Sequence, residues 1–290
     1  MEVDEEKSLW RAALAGEDAP AIEQMLSRDR ELRLIARGWS DSDVPAEGAE
    51  LRGLLLRGSE TVLPLAADNP WGVSADADLW SAVEHVWAPV AERCPAFLAA
   101  LRKELLGLAL VEIEGRYLLG YLYLAMHDAP FAQHLRDLPR YEHFDARMRV
   151  LWGTVPTALG PEAVPAIGEP LPPGVRDLAA VHASLESDGF NLWSDRLTTT
   201  LAAWILRMFE GEDPAEYAPE SEFPRALNGE FNGCVLFGTC PPSGENYFLT
   251  MDDRDPDGTP RVGTVGIDGI GENESFWDWF NGAVPEYLFP

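Results

Sequence analysis

Basic residues are scarce in this chain of 290 residues. The 22 Lys and Arg stand against 49 Asp and Glu, which gives a formal net charge of −27. The imbalance is steepest from position 150 onward, where 23 acidic residues face 6 basic ones. A surface of this sign repels nucleic acid and anionic lipid and attracts basic proteins. The charge therefore predicts no binding to nucleic acid or membrane and favours a basic protein partner, unless the acidity serves solubility alone.

Cysteine and long apolar stretches are also scarce. The three cysteines, Cys94, Cys234 and Cys240, are an odd number, which is typical of reduced thiols rather than of a disulfide framework. No run of about 18 or more apolar residues is present that could form a membrane-spanning helix. The N-terminal stretch "MEVDEEKSLW" is acidic where a secretory signal would be basic and then apolar. These features predict a cytoplasmic protein.

Apolar residues at helical spacing dominate the first 144 residues. Leu79, Trp80, Val83 and Trp87 share one stripe at helical spacing, which predicts one buried face of a helix. Two longer apolar segments, residues 95–113 and 115–138, also read as helix. We therefore expect residues 1–144 to form a mainly helical domain of unassigned role.

The composition of the sequence changes near residue 145. Six prolines and three glycines lie between positions 153 and 173, which is typical of a boundary between domains. Further along, "CVLFG", "NYFLTM" and "RVGTVGID" are short β-branched and aromatic runs separated by turn residues. A final apolar helical stripe follows. The pattern predicts an α+β fold, with residues 145–290 as an antiparallel-sheet domain with flanking helices.

The stretch "DRDPDG", residues 253–258, places carboxylates at alternate positions and then a glycine, as a calcium-binding EF-hand loop does. The twelfth position of such a loop supplies a bidentate Glu, but this chain has Thr264 there. The residues that follow also read as a strand rather than as an exiting helix. We therefore interpret the stretch as the turn of a β-hairpin and expect no calcium binding.

The sequence gives little indication of a zinc site or of catalytic residues. Cys234 and Cys240 lack the partners and spacing of a zinc site. The five histidines fit helical packing or surface positions, and no nucleophile elbow, zinc-protease helix or phosphate-binding loop is found. We expect no catalytic residues, no metal and no cofactor, and hence no enzyme. The alternative, an enzyme of unfamiliar type, would use carboxylates such as Asp252, Asp253 and Asp268.

Three stretches of the second half resemble the SUKH superfamily, whose founding members are fungal cell-wall-synthesis regulators. Residues 171–190 are similar to its opening Leu-Pro, short helix and Gly. Residues 235–252 resemble its central strand pair, with a Gly-acid-Asn-Tyr turn at 244–247. Residues 262–282 resemble its closing strand, acidic turn and final helix. The resemblance covers about residues 145–290, and the helix and acidic loop after residue 194 are longer than the family pattern.

The resemblance implies an α+β fold and a role in protein binding. Bacterial members of the family are largely immunity proteins, which bind and block a cognate toxin, commonly a nuclease or a deaminase. We therefore predict a non-catalytic bacterial immunity protein whose partner is a basic toxin domain. The alternative is an intracellular regulatory or scaffold protein without a toxin partner, which would share the same fold and charge.

One acidic segment is the candidate partner-binding patch. Six carboxylates without any basic residue follow a predicted helix, and a field of this sign would steer a basic partner. Two aromatic residues nearby, Trp193 and Tyr217, would supply tight contacts. The carboxylates of this acidic patch are Glu210, Glu212, Asp213, Glu216, Glu220 and Glu222.

Overall fold

The computed structural model describes most of the chain from residue 69 onward and one earlier strand. The described ranges are residues 52–57, 69–74, 77–113, 116–125, 147–157, 163–164, 166–187, 190–193, 197–208, 222–240, 243–266, 269–271 and 273–289. Residues 1–51 of the predicted helical domain, and residues 126–138 of its predicted helical segment 115–138, lie outside these ranges.

Six helices are formed by the described residues. They are α1 (Leu79–Trp87), α2 (Pro95–Glu104), α3 (Pro173–Ala179), α4 (Leu201–Met208), α5 (Glu222–Leu227) and α6 (Phe276–Leu288). The first begins at the N-cap Asp78, whose Oδ1 accepts hydrogen bonds from the backbone N–H groups of Trp80 and Ser81.

Twelve strands accompany the helices in the described part. The first six are β1 (Arg52–Arg57), β2 (Leu105–Ile113), β3 (Arg116–Ala125), β4 (Arg147–Thr154), β5 (Ala163–Val164) and β6 (Glu169–Pro170). The others are β7 (Ser184–Glu186), β8 (Asn191–Trp193), β9 (Cys234–Cys240), β10 (Glu245–Arg254), β11 (Pro260–Gly266) and β12 (Gly269–Ile270).

Ten of these strands form one antiparallel sheet, and β5 and β6 form a separate pair. The order in the large sheet is β1-β2-β3-β4-β7-β8-β9-β10-β11-β12, so each strand pairs with the next one of that sheet along the chain. An antiparallel sheet flanked by helices confirms the predicted α+β class. The three runs predicted as strands after residue 230 are β9, β10 and β11, which lie side by side as expected.

The segment from Leu105 to Ala125 corrects the sequence prediction. It was predicted as helix, but it forms strands β2 and β3. Leu119 and Tyr121 are buried on one face of β3, and Leu118 and Leu122 are buried on the other. A strand buried on both faces has no alternation of apolar and polar residues, so periodicity does not distinguish it from a buried helix. The predicted helices at α1 and α2 are confirmed.

The sheet continues across the predicted domain boundary at residues 144 and 145. Strand β3 pairs with β4 from Leu118 opposite Thr154 to Ala125 opposite Arg147. The main core also includes residues from both sides of this position. The predicted boundary therefore falls between two paired strands of one sheet.

Helices cover both faces of the sheet. Aromatic residues of α1, α2 and α6 meet in the main core, where the ring of Phe97 lies 4.7 Å from that of Trp87 and 5.0 Å from that of Phe280. On the opposite face, α4 and α5 pack against β9, β10 and β11 through a smaller cluster that includes Leu201 and Phe248.

Asn281 of α6 caps helix α2 from a distance in sequence. Its Oδ1 accepts hydrogen bonds from the backbone N–H groups of Ala96 at 3.0 Å and Phe97 at 3.2 Å. Its Nδ2 donates to the carbonyl oxygen of Arg93 at 2.8 Å. Cys94, the residue at the N-cap position, makes no capping bond with its own side chain. One amide therefore satisfies the exposed end of α2 and joins the two helices.

We predict that Asn281→Ala lowers the free energy of unfolding by about 1–2 kcal/mol, because α2 loses its cap. The measurement is urea unfolding followed by circular dichroism. Glu286→Ala, an exposed change on the same helix, is the control and should shift the free energy by less than about 0.5 kcal/mol. Equal effects of the two substitutions would show that Asn281 is not a cap.

Candidate functional site

The stretch "DRDPDG" includes the last two residues of β10 and most of the turn that leads to β11, as predicted. The backbone N–H of Asp255 donates to the carbonyl oxygen of Thr259 at 2.8 Å, and that of Gly258 donates to Asp255 at 2.9 Å. Gly258 has a φ of +85°, which a residue with a side chain rarely adopts. The alternate carboxylates thus belong to a closed hairpin turn.

Arginines from three parts of the chain bind the carboxylates around this turn. Arg93, between α1 and α2, lies 3.0 Å from Asp257 and 3.6 Å from Asp177 of α3. Arg254 lies 2.7 Å from Glu169 of β6. The ion pairs therefore attach the hairpin to two other elements, and the turn is part of the framework rather than a free loop.

Arg261 of β11 completes this charge cluster, which we name the acidic end. Its Nε lies 3.3 Å from Asp255 and 4.0 Å from Asp253. Asp252 is exposed and forms no ion pair with any residue that the structure describes. The acidic end thus contains three arginines, named above, and six carboxylates: Glu169, Asp177, Asp252, Asp253, Asp255 and Asp257.

The surroundings of Asp257 favour its ionised form. The backbone N–H of Thr259 donates to Asp257 Oδ1 at 2.9 Å, and this hydrogen bond, together with the neighbouring Arg93 guanidinium, lowers the pKa of Asp257. Since six carboxylates face three guanidinium groups, negative charge remains in excess. Within the described ranges, no group of three or more His, Cys, Asp or Glu is arranged to hold a metal ion.

Most of the predicted acidic patch lies outside the described residues. Helix α4 ends at Met208 and α5 begins at Glu222, so Glu222 is the first residue of a helix rather than part of a loop. Trp193 is the last residue of β8 and is half-buried. The other predicted members fall in the interval 209–221, so their role remains a prediction: Glu210, Glu212, Asp213, Glu216, Tyr217 and Glu220.

The buried His182 forms hydrogen bonds that link several elements of the core. The Nε2 of His182 lies 2.7 Å from the Tyr121 hydroxyl, and its Nδ1 lies 3.1 Å from the carbonyl oxygen of Thr154. The carbonyl only accepts, so Nδ1 carries the proton and Nε2 accepts from Tyr121. The hydroxyl of Tyr121 in turn accepts from Nε1 of Trp87 at 2.9 Å. This series of hydrogen bonds joins α1, β3, β4 and the segment before β7.

A second polar group, which we name the Glu245 cluster, lies at the end of sheet strands β9 and β10 that is remote from the DRDPDG turn. It consists of Ser243, Glu245, Tyr247 and Tyr287. Ser243 Oγ donates to Glu245 Oε2 at 3.2 Å, and the Tyr287 hydroxyl of α6 donates to the same oxygen. Sequence reasoning missed this cluster, because Tyr287 is 42 positions from Glu245 and no periodicity links them.

In the part of the chain that the structure describes, no helix has the length and apolar character that crossing a membrane requires. No protein-family model, curated protein or solved structure matches this chain.

Proposed function

We propose that the protein is a bacterial cytoplasmic immunity protein, which binds and neutralises a basic toxin of the nuclease or deaminase type. The observation that carries the proposal is the formal net charge of −27. The similarity of residues 145–290 to the SUKH pattern, and an α+β fold with an antiparallel sheet, support it.

An acidic protein suits this role because the toxin's substrate, nucleic acid, is itself negatively charged. A protein that acts on nucleic acid presents a basic surface to the phosphate backbone. An acidic inhibitor is attracted to that same surface and competes with the nucleic acid for it. Long-range attraction of this kind raises association rates by about 10- to 1000-fold at low ionic strength.

The proposed contact surface combines the acidic patch with nearby aromatic residues. Exposed carboxylates contribute mainly to the rate of association, because salt screens them beyond about 8–10 Å. Large aromatic side chains contribute more to the lifetime of a complex. Trp193, half-buried at the end of β8, and Tyr217 are the proposed anchors.

We predict that neutralising four carboxylates of the patch slows association with the toxin about tenfold at low salt and flattens its salt dependence. The variant carries Glu210→Gln, Glu212→Gln, Asp213→Asn and Glu216→Gln. Dissociation should change little, because these side chains steer rather than anchor. Stopped-flow or surface-plasmon measurements between 20 and 200 mM salt, roughly a threefold range of Debye length, test this.

A matched control separates the patch from the overall charge. Four exposed carboxylates elsewhere, Glu84, Glu92, Asp278 and Glu286, are changed to the corresponding amides. This variant has the same net charge as the patch variant and should associate nearly as fast as the native protein. If both variants slow equally, the net charge steers the partner and the patch has no special role.

A further inference from the structure

Glu245 occupies a fixed position at the start of β10. It lies opposite Cys240 in the β9–β10 hairpin, and the preceding Gly244 is exposed with a φ of +72°. On the neighbouring strand β11, a Cβ atom at Gly266 would lie 3.2 Å from Glu245 Cγ. The half-buried carboxylate is therefore bordered by glycines, which leave room around it.

Two neutral donors hold this carboxylate in place. Tyr287 donates to Oε2, and Ser243 Oγ lies 3.2 Å from the same oxygen and 3.3 Å from the carbonyl oxygen of Cys240, so its one proton is shared between these two acceptors. Burial raises the pKa of Tyr287, and its hydrogen bond to Glu245 raises the pKa further, so the hydroxyl remains a neutral donor. Hydroxyl groups orient a carboxylate, but they do not cancel its charge.

The charge of Glu245 is not balanced by a cation in the described structure. None of the ion pairs between described residues involves Glu245. Its Oε1 accepts no hydrogen bond from a described residue, since both observed bonds go to Oε2. Burial above all raises the pKa of the neighbouring Tyr247, so its hydroxyl, like that of Tyr287, is neutral and supplies no positive charge.

We propose that Glu245 is a preorganised subsite for one arginine side chain of a basic partner protein. This inference rests on the proposed function for its partner. A guanidinium group donates in a plane to a carboxylate oxygen and is weakly hydrated, so it suits a half-buried carboxylate beside aromatic rings. Here the ring of Tyr287 stacks on that of Phe190 with centroids 6.4 Å apart. Because Glu245 is already oriented, binding costs little side-chain entropy.

N-acetyl-arginine amide is the probe, and backbone NMR shifts are the readout. We expect saturable shifts at the amides of Ser243 to Tyr247, with binding at least tenfold weaker in Glu245→Gln. Asp278→Asn, an exposed carboxylate on α6, is the control and should leave these shifts unchanged. N-acetyl-citrulline amide, which has the same shape without the charge, should produce no saturable shift in the native protein.

Three results would overturn the subsite. They are arginine shifts that persist in Glu245→Gln, shifts that Asp278→Asn weakens equally, or shifts of the same size with citrulline. The citrulline comparison needs no variant, so it remains decisive if Glu245→Gln does not fold. The arginine probe does not involve the toxin. A toxin complex can therefore form even if Glu245 binds no arginine. Equally, arginine binding at Glu245 does not depend on whether a toxin complex forms.

Discussion

Gly153→Ala should lower the free energy of unfolding by about 3 kcal/mol or more, because the new methyl group collides with a buried ring. A Cβ atom at this position would lie 2.2 Å from Nδ1 and 2.3 Å from Cε1 of His182. The ring cannot move aside easily, since His182 is fully buried with the rings of Trp71, Trp87 and Tyr121 within 6 Å. Displacing it would also break hydrogen bonds that no water can replace.

Gly282→Ala is the matched control for this substitution. Gly282 lies inside α6, and nothing is within 4 Å of the position that a Cβ atom would take. Alanine in a helix is favoured over glycine, so this variant should be more stable by about 0.5–1 kcal/mol. Denaturant unfolding of both variants tests the prediction, and a Gly153→Ala protein of native stability would contradict the close packing of β4 against His182.

The second large effect is a loss of stability when the pH falls below about 6.5. Burial lowers the pKa of His182 from 6.5 to about 3, although the hydrogen bond with Thr154 partly opposes this. Protonation would place a second N–H opposite the Tyr121 hydroxyl, which already accepts a hydrogen bond from Trp87. The side chains that contact the imidazole from α1, β3 and the 69–74 segment are Trp87, Tyr121 and Trp71, and none is charged.

The protein loses stability as the pH falls because the pKa of His182 is lowered in the folded state. Below pH 6.5 the unfolded chain binds a proton at His182, whereas the folded protein does not. The free energy of unfolding is therefore unaffected by the titration of His182 above this pH. It decreases by about 1.4 kcal/mol per pH unit as the pH falls toward 3. The interval from pH 6.5 to 5.5 separates histidine titration from that of ordinary carboxylates, which titrate near pH 4, and the His182→Gln variant separates His182 from the other four histidines.

Two measurements check the pH dependence. The imidazole nitrogen shifts of His182 should report the neutral Nδ1–H form throughout the range from pH 8 to 5. The free energy of unfolding should fall by about 1 kcal/mol between pH 6.5 and 5.5 in the native protein, and by less in His182→Gln. A His182 titration midpoint near its ordinary value would contradict the buried network.

The parts of the fold that the sequence predicted are those set by local signals. Strands β9, β10 and β11 were predicted because each is a short apolar run between turn residues. The turn "DRDPDG" was predicted because Thr264 excludes the calcium ligand set and Pro and Gly close the loop. Helix α1 was predicted from the spacing of Leu79, Trp80, Val83 and Trp87. Three of them are buried as expected, and Trp80 is partly buried.

The parts that the sequence did not predict depend on contacts between distant residues. Strands β2 and β3 are apolar on both faces, so their pattern was read as helix. Asn281 caps a helix 184 residues earlier, and nothing local in the sequence marks it as a cap. The Glu245 cluster and the His182 network likewise join residues from separate elements. For the candidate site, the sequence predicted the negative charge, whereas the ion pairs that partly neutralise the acidic end required the structure.

The most direct test of the proposed function is binding and neutralisation of a toxin encoded beside the protein's own gene. We expect coexpression to restore growth of cells that produce the toxin. We also expect the purified proteins to form a one-to-one complex, with an association rate that falls steeply with salt and a toxin that no longer acts on its nucleic-acid substrate. A toxin that remains fully active, in cells and in solution, in the presence of excess acidic protein would contradict the proposal.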